Sequence, residues 1–130
     1  MKDIFILLAA FQIKHFLCDF PFQTQYMLGK FKKVGWIDPS LRHTLTHFLG
    51  TAIICLWYLQ THPNKIDPLI PATLASLDLI IHFIVDRIKA HPDLGGRWKP
   101  DSKYFWWCIG LDQMAHHFTH YAIIAYLVTR

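Results

Sequence analysis

The chain has 130 residues, room for one domain, of which 53% are hydrophobic and only 17% charged, with a mean hydropathy of +0.24. This balance favours a membrane protein over a soluble helical bundle, and despite a net charge of +4 no direct nucleic-acid binding is expected. Cys18, Cys55 and Cys108 are odd in number and lie in apolar segments, so no disulfide framework is expected and they suit small buried hydrophobes.

Four stretches approach the ~20 residues that a membrane-crossing helix needs. They are Ile4–Phe20, Leu41–Gln60, Pro68–Ala90 and Tyr104–Val128. The first has no small-x-small exit and ends in Lys14, His15 and Asp19, so no cleavable signal peptide is expected. Leu56–Leu59 in the second and Tyr121–Leu127 in the fourth offer no polar face to water. The expected fold is all-α, a single four-helix transmembrane bundle made of two tandem hairpins.

Each stretch is interrupted by polar residues four apart. His15 and Asp19 close the first, His43 and His47 open the second, His82 and Asp86 close the third, and Asp112, His116 and His120 run into the fourth. Residues four apart share one helix face. Ionisable groups in apolar helices are costly and by default mark a functional site.

Charge sets the expected topology. The connections after the first and third stretches, with their flanks, carry Lys30, Lys32, Lys33, Arg42, Arg87, Lys89, Arg97, Lys99 and Lys103. The opposite side carries Lys2, Lys65 and Arg130, and Lys14 falls inside a span. The bias predicts cytoplasmic loops on the basic side, with both termini outside the cytoplasm of a bacterial inner membrane. Phe20, Phe22, Trp36, Trp98, Trp106 and Trp107, with Tyr58 and Tyr126 opposite, suit the two interfaces. At ~1.5 Å rise per residue, the four polar pairs then fall in one layer, about 5–15 Å below the cytoplasmic surface.

The sequence also repeats. His15-Phe-Leu-Cys-Asp19 matches His82-Phe-Ile-Val-Asp86, and His43-Thr-Leu-Thr-His47 matches His116-His-Phe-Thr-His120, in the same order. A parallel duplication would relate the two hairpins by a pseudo-two-fold axis along the membrane normal. Asp112 breaks the symmetry, since Pro39 stands at the corresponding place. Either Asp112 with His116 or His116 with His120 could ligate directly, and the first pair lies nearer the common layer.

The expected ligands are therefore His15, Asp19, His43, His47, His82, Asp86, Asp112 and His116, with Asp112 and His120 as groups that move protons. Imidazoles and carboxylates without thiolates favour zinc first, then manganese or iron. Eight ligands are too many for one tetrahedral ion and suit two, which about 3.5–4 Å apart could activate water and clamp a phosphoryl group. Lys30, Lys33, Arg42, Arg87 and Lys89 form a basic rim for an anionic substrate, with Lys30, Arg87 and Lys89 expected to bind it, and Gln23, one turn past Asp19, could orient water or substrate.

His15-x3-Asp19-Phe20-x2-Gln23, Lys30, His43 and His47, the HFxxDRxK run from His82 to Lys89, and Leu111-Asp112-Gln113-x2-His116 together resemble a family of short bacterial and phage membrane proteins, DUF3307. The resemblance covers nearly the whole chain and implies four spans, but supplies no activity. Through His/Asp pairs at helix ends the chain is more distantly similar to LexA-regulated, membrane-bound, metal-dependent hydrolases, although it lacks their Gly-rich, Pro-bounded pattern. The leading expectation is a hydrolase of a lipid-linked or membrane-associated phosphate, with membrane lipids as partners. The alternatives are a dimeric transporter or channel for divalent metal or protons, and a di-iron membrane oxidase; a holin-like structural role needs no buried ligands.

Overall fold

The computed structural model describes residues 2–62 and 67–129. Among these residues the chain forms four α-helices and no strand. They are α1 Lys2–Asp19, α2 Ile37–Thr61, α3 Leu69–Ala90 and α4 Lys103–Val128, joined in part by short 3₁₀ segments at Tyr26–Phe31 and Gly95–Arg97.

Local chemistry sets the boundaries. α2 begins at Ile37, ahead of its apolar run, because Gly35 turns the chain at a φ of 73° that other residues resist. Pro39 lies in the first turn of α2, where a missing N–H costs nothing. The Tyr26 hydroxyl and the Arg42 guanidinium both bond Asp38 there and hold its carboxyl below the ordinary carboxylate range. α3 has Pro71 in its first turn and stops just before Pro92. α4 opens on Ser102, whose hydroxyl accepts from Tyr104 N at 3.3 Å. Between them the loop folds back onto α3 so tightly that a Cβ on Gly95 would meet the Lys89 carbonyl oxygen at 2.5 Å.

Each helix packs against its neighbours in the chain, and α4 closes the ring against α1. Thus α1 and α3 run one way, α2 and α4 the other. The interior divides in two. At the end shared by the start of α1, the end of α2, the start of α3 and the end of α4, Leu7, Phe11, Ile54, Tyr58, Leu59, Ile70, Leu74, Ile123, Ile124 and Leu127 form an apolar core. Asp3 and His62 approach to 3.5 Å beyond it. The other half of the interior is polar. It buries Lys14, His15, His43, His47, Asp78, His82, Asp86, Asp112, His116 and His120.

The outer surface is the reverse of the interior. Among the described residues, no charged residue is exposed from Ile4 to Phe16, Leu45 to Trp57, Leu69 to Ile84 or Tyr104 to Tyr126. Phe16 is 56% exposed beside His15 at 5%, and Phe118 60% exposed near His116 at 1%.

Taken one helix at a time, the four apolar spans are not all recovered. By length and composition only Leu69–Arg97, among the described residues, is apolar enough to cross a membrane. The reason is physical: the histidines, lysines and aspartates that face inward are counted against helices whose outward faces are apolar. The cysteines are free, with Cys18 and Cys55 buried and Cys108 half-buried. Lys65 and Arg130, counted in the expected charge bias, lie outside the described residues.

Candidate metal centre

The polar pairs meet because each occupies the inward face of its helix at the same end of the ring. Asp19, from the end of α1, lies with Oδ1 3.1 Å from His47 Nε2 and 3.4 Å from His43 Nε2. His82 enters from α3, its ring centroid 3.7 Å from that of His47. Asp19, His43, His47 and His82 bring one ligand atom each within 4.8 Å of one another. A second group, within the same limit, consists of His82, Asp86 and His116. His82 belongs to both.

Duplicated motifs meet between neighbouring helices of the ring. The His15 ring lies 5.5 Å from those of His116 and His120, and the His82 ring 5.4 Å from His43. The first motif of each half lies against the second motifs of both, since the His15 ring is also 5.6 Å from that of His47 and the His82 ring 3.8 Å from that of His116.

The donor atoms fit a cation. Both nitrogens of His43, His82 and His116, and Nδ1 of His15 and His47, are buried without a hydrogen-bond partner. Each such atom costs about 1–3 kcal/mol if left unsatisfied. Divalent ions coordinated by these imidazoles and by Asp19 and Asp86 would satisfy several at once. His15 and Asp112 stand one contact back. His15 Nε2 lies 3.0 Å from Asp19 Oδ2 and 3.0 Å from Gln113 Oε1, and Asp112 Oδ1 lies 3.3 Å from His116 Nε2. Carboxylates so placed orient the imidazoles beside them.

Above this layer lies a cavity of about 360 Å³. Asp19, Gln23, Lys30, Lys89, Asp112 and Gln113 supply its polar surface, and Phe20, Leu28, Phe31, Trp98, Phe105 and Ile109 its apolar walls. Lys30 Nζ donates to Asp86 Oδ2 at 2.5 Å, and Lys89 Nζ donates to Asp86 Oδ1 at 2.7 Å and to Asp112 Oδ2 at 2.9 Å. Arg87 is placed elsewhere. Its guanidinium donates to the Lys30 and Lys32 carbonyls at 3.0 and 3.1 Å and lies 4.0 Å over the Trp36 ring, so it ties the α1–α2 connection to α3.

Sequence reasoning missed one element. Lys14 Nζ donates to Asp78 Oδ2 at 2.7 Å, deep between α1 and α3, and Thr51 Oγ1 donates to the same oxygen at 2.5 Å. His120, a turn below the ligand layer, belongs here: its Nε2 is 3.4 Å from Lys14 Nζ and 3.7 Å from Asp78 Oδ1. The signal was present, since Asp78, His82 and Asp86 continue the four-residue spacing on one face of α3.

A family model described as Protein of unknown function (DUF3307) matches residues 7–130. The chain belongs to that family. For this DUF3307 chain, no match is found among curated proteins or among solved structures. The matched range contains every residue of the two His/Asp groups.

Proposed function

We propose that this DUF3307 chain is a four-span membrane protein with a two-metal centre, hydrolysing a lipid-linked or membrane-associated phosphate from the cytoplasmic face. The observation that carries the reading is the convergence of imidazoles with buried, unsatisfied nitrogens and of carboxylates under a cavity lined by two lysines.

The membrane part rests on the inverted surface. Leu45, Leu49, Ile53 and Trp57 on α2, and Leu111, Met114, Phe118 and Tyr121 on α4, make continuous exposed apolar stripes. A soluble monomer seldom exposes patches beyond a few hundred Å². With lipid around the ring, the three less apolar helices cross the bilayer with their polar faces turned inward. The pseudo-two-fold arrangement of hairpins agrees with the mutual packing of the duplicated motifs. Lys30, Lys32, Lys33, Arg42, Arg97, Lys99 and Lys103 cluster at the ligand end, supporting a cytoplasmic site and termini on the other side.

In this reading Asp19, His43 and His47 would hold one ion and Asp86 and His116 the other, with His82 in reach of both groups and able to complete either, zinc being favoured and manganese or iron(II) alternatives. Such ions supply Lewis acidity that lowers the pKa of bound water and polarises a phosphoryl oxygen. Lys30 and Lys89 bind the anion, while Gln23 and Gln113 orient it by hydrogen bonds. Asp112, open to the cavity, takes the proton of the attacking water. His120 holds its place through the Lys14–Asp78 pair. The apolar core from Leu7 to Leu127 closes the far end of the ring, which favours a one-sided enzyme over a transport path.

The test is metal analysis of detergent-purified protein, followed by incubation with lipid phosphates and zinc or manganese. Two ions per chain and release of inorganic phosphate support the proposal. Metal flux into proteoliposomes without any cleavage would replace it with the transport reading, and two bound irons with the oxidase.

A further inference from the structure

Asp86 is engaged twice. It belongs to the ligand group with His82 and His116, yet both its oxygens already carry an ammonium, Lys30 on Oδ2 at 2.5 Å and Lys89 on Oδ1 at 2.7 Å. A divalent ion and two ammonium groups around one buried carboxylate repel one another strongly in a low-dielectric interior. Something must leave. The lysines can, because both line the cavity and sit on long flexible stems.

We infer that Lys30 and Lys89 are exchangeable counter-ions: metal at His82, Asp86 and His116 displaces them into the cavity, where they bind a phosphomonoester that the metal-free protein does not hold. The inference rests on the metal centre proposed above and names its substrate class. Charge decides that class. Asp19, Asp86 and Asp112 line the site with three negative charges, and Lys30 and Lys89 offset two of them. Without metal the site is slightly negative and repels anions. One divalent ion reverses the sign and two leave a clear positive excess, which a phosphomonoester dianion matches better than a diester monoanion. Binding of metal and phosphate is therefore reciprocal: each must tighten the other by the same factor.

Inorganic phosphate is the first probe, titrated calorimetrically into purified protein with and without zinc. The expected result is phosphate affinity raised by about tenfold or more when zinc is bound, with zinc affinity raised equally by phosphate. Dimethyl phosphate, a monoanion, should show a smaller gain. Lys30→Met and Lys89→Met each remove a competing cation, so zinc binding in phosphate-free buffer should tighten while the zinc–phosphate coupling falls. Lys32→Met, in the exposed loop, should change neither. The two lysines give independent variants should one fail to fold. Glycerol 3-phosphate against phosphatidic acid in mixed micelles separates a free from a lipid source: equal coupling assigns the headgroup alone, and tighter lipid binding adds the apolar walls. Zinc bound with phosphate affinity unchanged, or zinc binding weakened by both lysine variants, overturns this inference and leaves the metal centre standing. Absence of any metal uptake overturns both.

Discussion

The rings of His82 and His116 lie 3.8 Å apart and 13° from parallel, with both nitrogens of His82 and Nδ1 of His116 buried without a hydrogen bond and His116 Nε2 3.3 Å from Asp112 Oδ1. Two buried aromatic rings would pack in this way without reference to their nitrogens, but two imidazoles so placed leave three polar atoms unsatisfied. The arrangement is costly unless a cation takes the bare nitrogen of each ring, leaving the N–H of each for an acceptor. His82 is also the one residue common to both ligand groups.

Replacing His82 should therefore remove more metal than replacing any other single ligand. Plasma mass spectrometry of purified variants should find both ions weakened in His82→Ala and a smaller loss in His15→Ala, whose side chain stands outside the two groups. His91→Ala, on the loop after α3, should retain wild-type content. Equal loss from His91→Ala and His82→Ala would disprove the ligand assignment.

The Lys14–Asp78 pair should behave as a buried ion pair. Lys14 is 6% and Asp78 1% exposed, so Lys14→Met alone strands a carboxylate and should cost about 3–5 kcal/mol. Lys14→Met with Asp78→Leu should recover most of that loss. Unfolding in graded denaturing detergent gives the comparison, and additive losses in the double variant would mean that the two charges do not interact.

Two helical glycines should respond in opposite directions. A Cβ on Gly50 would lie 2.7 Å from Lys14 Cγ, near the root of that side chain, so Gly50→Ala must displace the lysine and should cost about 1–3 kcal/mol. Gly110 has nothing within 4 Å, and Gly110→Ala should gain up to about 1 kcal/mol from helix propensity. Thermal stability in one detergent reads both, and a stabilised Gly50→Ala would refute the close packing of α1 against α2.

Arg87 should act through shape rather than charge. Arg87→Lys keeps the cation but loses the fork on the Lys30 and Lys32 carbonyls and the stacking on Trp36. It should loosen the α1–α2 connection nearly as much as Arg87→Ala. Faster tryptic cleavage at Lys32 and Lys33 in both variants is the expected result; protection retained in Arg87→Lys would show that charge alone suffices.

Topology has a direct test. A phosphatase reporter joined after α4 should be active outside the cytoplasm, and a fluorescent reporter at the same place should stay dark. The opposite pattern would put the site on the outer side of the membrane.

The sequence by itself determined the helices and the face and level of each polar pair along its own helix, because four-residue spacing fixes a face and the rise per residue fixes a level. It also held the duplication that pairs His15–Asp19 with His82–Asp86. It could not assign partners across the ring. Periodicity says that Lys14 and Asp78 point inward, but only closure of the ring, which sets α1 across the interior from α3, brings Lys14 Nζ 2.7 Å from Asp78. Likewise Arg87 and Lys89 read alike as rim cations. In the fold Lys89 reaches Asp86 and Asp112, while Arg87 turns to the connection before α2. His120 shares a face with His116, yet a turn of helix carries it out of the ligand layer to the Lys14–Asp78 pair. The polarity of the helices divides in the same way. Composition averages the two faces of each helix, whereas the tertiary structure separates them, placing charge inside and hydrocarbon outside.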